Sequence, residues 1–361
     1  MAIVPRIAVN TIVCGTIAIV PYNLIYPPMD PTKQIQESLS IVKKIKDSLS
    51  KKIIGQDALK QSLLMALLTE GHVLLEGVPG LAKTLSVKAL ADTVQAGFQR
   101  IQFTPDLLPA DLIGTEIYRH QEGEFVVRKG PLFANFILAD EINRAPAKVQ
   151  SALLETMQEK QITIGNRTYK VPEPFFVLAT QNPIEQEGTY TLPEAQIDRF
   201  IMKVKVTYPK PQEEIKILDM YATELPSLQA SSLEGRADSA TGVSLKDLAT
   251  IKTASQRVYV DDKIKQYIVA VVDATRYPEK FNPRLKSLIS AGASPRASIA
   301  LFLCSRALAF LEGSTFVVPQ HVKDVAYDVL RHRITASYEA EAEGLDSDRL
   351  ISMLLEQVLV P

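Results

Sequence analysis

Short runs rich in apolar residues at positions 72–76, 98–103, 136–140, 175–180 and 200–206 alternate with stretches in which apolar residues recur every three or four positions. Such runs suit buried strands, and their alternation with helical patterns predicts a parallel sheet flanked by helices, with any ligand at the strands' carboxyl ends. Ahead of them, helical spacing runs from residue 35 to 49, breaks at Ile53-Ile54-Gly55-Gln56, and resumes from Asp57 to Thr69 until Gly71 ends it. Two hairpin signals interrupt the alternation and read as inserts carried on the core: residues 115–119 and 125–128 flank Gln121-Glu122-Gly123-Glu124, and residues 162–164 and 168–171 flank Gly165-Asn166. Beyond Tyr208-Pro209-Lys210-Pro211 only helices are predicted. Ser244-Leu245-Lys246-Asp247 has capping-box spacing, Pro295 precedes a run ending at Gly313, and Pro319 opens another to Arg331. The polar stretch 223–242 reads as a surface loop. The expected organisation is an N-terminal extension at 1–34, an α/β core at 35–208 and a small all-α domain at 209–361.

With 361 residues there is material for two or three domains. Lys and Arg number 40 against 41 Asp and Glu, so no global basic field recruits nucleic acid. Cys14 and Cys304 lie far apart and offer neither a disulfide framework nor a zinc-ligand spacing, which suits a reducing cytoplasm. His72, His120, His321 and His332 form no metal-ligand spacing, so transition-metal catalysis is not expected. Residues 7–20 are nearly all apolar, with Arg6 in front and prolines at 5, 21, 27 and 28. That length fits a signal-peptide core better than a bilayer span of about 20 residues, but no small-x-small cleavage site follows cleanly. Met29 then begins a polar amphipathic segment that would serve as the start of a soluble protein. An upstream extension of little consequence, a membrane- or partner-docking segment, and an export signal all stay open.

The first chemical signal is the octet Gly77-Val78-Pro79-Gly80-Leu81-Ala82-Lys83-Thr84, between the apolar run 72–76 and a helical pattern at 85–90. A strand, a tight glycine-bearing loop, a Lys-Thr pair and a helix make the phosphate-cradling P-loop. Its backbone N–H groups and the helix's positive end can surround phosphates, with Lys83 on the outer ones and Thr84 ligating Mg²⁺. Ala82 stands where a second glycine is usual, which is tolerable if that residue has helical φ. Alone, the octet also fits a strand-loop-helix turn with no ligand.

Its partner motifs decide. Phe136-Ile137-Leu138-Ala139-Asp140-Glu141 is an apolar strand ending in adjacent carboxylates, as a nucleotide site requires: Asp140 for the metal and Glu141 to polarise the attacking water. A second apolar strand ends in Thr180-Gln181-Asn182, where Asn182 could orient that water or bond the γ-phosphate. Gly292-Ala293-Ser294-Pro295-Arg296-Ala297 puts Arg296 in the first turn of a helix, against the dipole, where an anion would compensate it.

In this order the residues resemble the MoxR family of AAA+ ATPases, from about residue 35 to the C-terminus. Ile54-Gly55-Gln56 is similar to the family's adenine-side segment, Gly77 to Thr84 to its Walker A (where Ala before Lys is usual), and Leu138 to Pro146 to its Walker B. Asn182 matches sensor 1, Arg199 the arginine finger, Arg296 the lid's sensor 2, and the hairpins the helix-2 insert and pre-sensor-1 hairpin. The resemblance implies a P-loop AAA+ core with a five-stranded parallel sheet, then an all-α lid. It further implies ATP with Mg²⁺ between core and lid, and a homo-oligomeric, usually hexameric ring in which Arg199 reaches a neighbour's γ-phosphate. Chaperone-like remodelling of a protein client is implied too, often with a von Willebrand factor A domain partner. An ATP-using domain argues against export of the N-terminal segment. Two rivals remain: a nucleic-acid motor, kept alive by Arg167 and Lys170 on the second hairpin, and a nucleotide-gated scaffold with negligible hydrolysis, against which Glu141, Asn182 and Arg199 speak.

Overall fold

The computed structural model describes residues 9–13, 16–20, 31–78, 81, 83–182, 189–228 and 242–361. Val9–Val13 (β1) and Thr16–Val20 (β2) pair as an antiparallel ladder, so the apolar N-terminal run folds as two strands. Two helices follow, Pro31–Lys52 (α1) and Asp57–Thr69 (α2). Next come Val73–Glu76 (β3), Lys83–Thr93 (α3), Phe98–Gln102 (β4), Pro109–Ile113 (α4) and the hairpin Gly114–Arg119 (β5) with Glu124–Lys129 (β6). Phe136–Asp140 (β7), Ala147–Glu159 (α5) and a second hairpin, Gln161–Ile164 (β8) with Arg167–Lys170 (β9), lead to Phe176–Gln181 (β10), Glu194–Ile197 (α6) and Met202–Lys205 (β11).

Five of these strands form one parallel sheet in the order β11-β3-β10-β7-β4. Alternation sorts its side chains between two cores. Val73, Leu75, Phe136, Leu138, Phe176 and Leu178 enter one cluster, whereas Leu74, Ile137, Ala139, Val177 and Ala179 enter the other. Both faces are therefore covered, which is why these strands read as continuous apolar runs.

The C-terminal part comprises Pro211–Leu228 (α7), Leu245–Ser255 (α8), Asp262–Arg276 (α9), Pro283–Leu288 (α10), Ile289–Ala291 (β12), Pro295–Leu311 (α11), Pro319–Leu330 (α12), Thr335–Ala336 (β13), Tyr338–Ala342 (α13) and Ser347–Gln357 (α14). It is helical apart from the short antiparallel β12–β13 ladder. The Ser244 capping box forms: its hydroxyl accepts from Asp247 N–H at 3.1 Å and Asp247 accepts from Ser244 N–H at 3.0 Å. The surface loop expected from residue 223 starts later, because α7 continues to Leu228; residues 229–241 of that expectation lie outside the described residues. Side chains of α9, α11 and α12 share a core cluster with one face of the sheet, so the helical part is packed onto it rather than tethered.

His72 leads into β3 as a buried strut. Its Nδ1 accepts from Val177 N–H at 3.1 Å and its Nε2 lies 3.3 Å from Met157 O, so the neutral ring protonated at Nε2 satisfies both. Burial lowers its pKa from 6.5 to about 4, with the Lys160 charge adding to the effect against the Met157 hydrogen bond. The unfolded chain therefore binds this proton more readily, and the stability due to neutral His72 is lost as pH falls from 6.5 through about 4. Over that window the group should contribute about 3 kcal/mol of pH dependence. Denaturant-derived stability measured against pH should show this limb in the wild type and a flatter one in His72→Gln; an unchanged slope would remove His72 as its cause.

Candidate functional site

The carboxyl ends of β3, β7 and β10 open into a cavity of about 510 Å³ lined by Gly77, Lys83, Thr84, Asp140, Glu141, Thr180 and Asn182. Ile53 and Ile54, before α2, and Ile217 and Met220 of α7 give it an apolar end. Gly55 is not among the lining residues; it lies beneath Glu213, where a Cβ would fall 2.6 Å from the carboxyl carbon, and its φ of +65° favours glycine. Leu81 turns into the core and Val78 packs against it, so these side chains fill space under the loop. Pro79, Gly80 and Ala82 lie outside the described residues. Lys83 Nζ donates to the Gly77 carbonyl. Burial lowers the Lys83 pKa, while attraction to Asp140, Glu141 and Glu76 opposes that shift.

Glu141 takes the left-handed conformation, φ 56° and ψ 51°, as the chain leaves β7 for a 3₁₀ turn at Ile142–Arg144. For a non-glycine residue this costs roughly 1–3 kcal/mol and persists only where the surroundings enforce it. Here they do: Glu141 N–H donates to Thr180 Oγ1 at 2.9 Å, and Thr180 in turn donates to Asp140 Oδ1 at 2.7 Å. Gln102 Nε2 donates to Glu141 Oε2 at 3.0 Å and Arg144 pairs with the same oxygen at 2.9 Å. On the other oxygen of Asp140, Arg100 pairs at 2.6 Å. Both carboxylates are thus oriented and balanced by groups on adjoining segments.

Arg199 and Arg296 are not gathered into this cavity. With His72, Asp198 and Arg333 they line a second one, of about 280 Å³, where α11 meets the end of α5. Arg199 Nη1 donates to Leu154 O at 2.8 Å, while its buried Nε has no hydrogen-bond partner among the described residues. Arg296 stands in the first turn of α11, and its Nη1 lies 3.6 Å from Asp198 Oδ2. Within one subunit Arg296 thus stands apart from Lys83 and Asp140, because α11 packs beside Asp198 and α2.

A family model described as "ATPase family associated with various cellular activities (AAA)" matches residues 72–202, and one for an AAA lid domain matches residues 283–353. Chaperone MoxR1 of Mycobacterium tuberculosis is 49% identical over 310 residues, covering 86% of this chain and 79% of that protein. The chain belongs to the MoxR family of AAA+ ATPases. Protein MoxR of Methylorubrum extorquens is 30% identical, covering 87% of this chain and 93% of that one. The crystal structure of a Cytophaga hutchinsonii protein superposes with a TM-score of 0.82 at 46% identity, covering 91% and 97% of the two chains.

For the metal that this MoxR-family fold implies, the donor chemistry fits. Mg²⁺ takes oxygen ligands and keeps several waters, and the Thr84 hydroxyl and Asp140 carboxylate are oxygen donors facing one cavity. Arg100, Gln102, Arg144 and Thr180 were not singled out from the sequence. The β4–β7 register, which sets Gln102 against Asp140, is what brings the first two to the acids. Thr180→Val should remove the acceptor of the Glu141 N–H and the donor to Asp140 Oδ1, leaving only Arg100 on the other oxygen, while filling the same space. ATP affinity should change little and turnover should fall by about tenfold or more, the scale of one misaligned catalytic contact. Binding and single-turnover measurements check this, and equal loss in both would contradict it.

Proposed function

We propose that this protein hydrolyses ATP with Mg²⁺ in a ring of like subunits and uses the cycle to remodel protein complexes. Residues 35–208 form the core of that machine and residues 209–361 its lid. The observation that carries the reading is the convergence of Lys83, Thr84, Asp140, Glu141 and Asn182 on one cavity of about 510 Å³, within the size range of small-molecule sites.

The triphosphate lies along the loop from Gly77 to Thr84, with Lys83 leaving the Gly77 carbonyl for the outer phosphates. The base rests against Ile54, Ile217 and Met220. Thr84 and Asp140 would hold Mg²⁺, which supplies charge neutralisation on the phosphates when bound. Glu141, held at its fixed turn, takes the proton of the attacking water, and Asn182 orients that water or the γ-phosphate. Arg199 and Arg296, side by side at the second cavity, serve a neighbour's nucleotide instead of their own. An arginine supplied in trans contributes about 10³ to 10⁵ in rate, roughly 4 to 7 kcal/mol of barrier. A single subunit is on this reading a poor ATPase.

The name of the Mycobacterium relative, a chaperone, supports a protein client. The two hairpins are the parts placed to engage it, and β5–β6 carries exposed Tyr118 and Phe125. A hexamer, a von Willebrand factor A domain partner and a cytoplasmic setting, where ATP is supplied, complete the proposal. Among the described residues no helix is long and apolar enough to cross a membrane.

Lys83→Ala should abolish nucleotide binding, whereas Glu141→Gln should keep ATP bound with turnover lowered by about 10² to 10⁴, the usual worth of a general base. Calorimetry with phosphate release separates the two, and equal loss of binding in both would contradict the assigned roles. Mixing Arg199→Ala subunits with Glu141→Gln subunits should restore turnover that neither has alone, since each supplies what the other lacks. Stimulation of turnover by DNA would favour a nucleic-acid motor, and phosphate release indistinguishable from buffer would favour a scaffold.

A further inference from the structure

Three consecutive residues after α12 grip the backbone on either side of Arg199. Arg331 Nη1 donates to Lys203 O at 2.5 Å, and His332 Nε2 lies 3.0 Å from Phe200 O. Arg333 holds most of the segment. Its Nε donates to Asp198 Oδ1 at 2.7 Å, its Nη2 to Phe200 O at 2.7 Å and Asp198 O at 3.2 Å, and its Nη1 to Ile201 O at 3.1 Å and Val329 O at 2.5 Å. All three nitrogens are therefore used, on a side chain only 2% exposed. Burying a guanidinium is costly unless it is fully paired, so an apolar residue would serve mere packing better. The grip has a definite object. Asp198 faces Arg333 with one oxygen, and with the other it accepts from Ser294 Oγ at 2.8 Å and meets Arg296 Nη1 at 3.6 Å.

We propose that Arg333 is a positioning residue for the trans site: anchored behind α12, it fixes Asp198 and the adjoining carbonyls so that Arg199 and Arg296 are presented as one pair to a neighbour's nucleotide. This rests on the reading of those two arginines as acting in trans. Arg333 itself never touches the phosphates. Lysine cannot replace it, because a single ammonium cannot span carbonyls on residues 198, 200, 201 and 329 that a planar fork reaches together.

The test uses full-length Arg333→Lys and, in case that variant folds poorly, Asp198→Asn, which keeps size but removes the charge linking the arginines. Affinity for a fluorescent ATP analogue should stay within about twofold of wild type, while turnover of the assembled oligomer falls about 10²-fold, the cost of misplacing a reacting group by an ångström. Mixing either variant with Glu141→Gln subunits, whose own arginines are intact, should restore turnover as the Arg199→Ala mixture does. Sedimentation follows assembly in the same samples. Near-normal turnover in both variants, loss of assembly in both, or no recovery on mixing where the Arg199→Ala mixture recovers would each overturn the positioning role. Failure of the Arg199→Ala mixture itself would overturn the trans reading and this proposal with it.

Discussion

One strand sets the geometry on which the site depends. β10 hydrogen-bonds to β3 on one side and β7 on the other, with Leu178 opposite both Val73 and Leu138, so all three strands end at nearly the same level. The chain is apolar on both faces until those ends, because a polar group inside a doubly covered sheet would need a partner that neighbouring side chains do not offer. Polar chemistry is therefore confined to one edge, where Gly77, Asp140 and Asn182 leave their strands together. A one-residue slip of β7 would exchange its two core faces and turn Asp140 away, so the register that buries Phe136 and Leu138 also aims the acid. Thr180 is the exception that fits the rule: it is 2% exposed inside the sheet, and its hydroxyl is used by both Asp140 and the Glu141 N–H.

Adjacent carboxylates on a partly buried edge repel each other and lose hydration, and the fold answers with oriented partners. Arg100 takes Asp140, while Gln102 and Arg144 take Glu141. The backbone turns from extended at Asp140 to left-handed at Glu141, and on the proposed reading one acid would serve the metal and the other the water. Strain at that residue is held by Thr180 below and by Gln150 beyond, which donates to Ile142 O at 3.2 Å and Ala145 O at 3.0 Å.

How much of this could be read from the chain depends on the range over which each feature is encoded. Strands β3, β7 and β10, the loop at Gly77 to Thr84, the Asp140-Glu141 pair and both hairpins are written locally, in runs of apolar residues and turn signals. Arg100 and Gln102 are not, because β4 lies at the sheet edge and its exposed side chains read as a solvated strand; only pairing with β7 discloses their targets. Arg331-His332-Arg333 follows a helix, where basic residues ordinarily complement the dipole, and nothing nearby indicates a buried fork. The position of Arg296 depends on which side of the core α11 packs against, a matter of contacts nearly a hundred residues apart in sequence, as in Ser294 with Asp198.

That packing also bears on how one site would sense another. One hydrophobic cluster runs from β3, β7 and β10 through α2 into α9, α11 and α12, so the sheet and these helices have little freedom to hinge apart. On the trans reading, a change at one nucleotide would therefore appear as movement of a whole subunit against its neighbour. Asp198 sits where such movement would be felt, immediately before Arg199 and in contact with Arg296 and Arg333. If the arginines act in trans, their distance from a neighbour's phosphate would report the orientation of the entire subunit. On the trans reading this makes ATP turnover a function of ring geometry, and a client that distorts the ring alters catalysis without touching the cavity at Lys83.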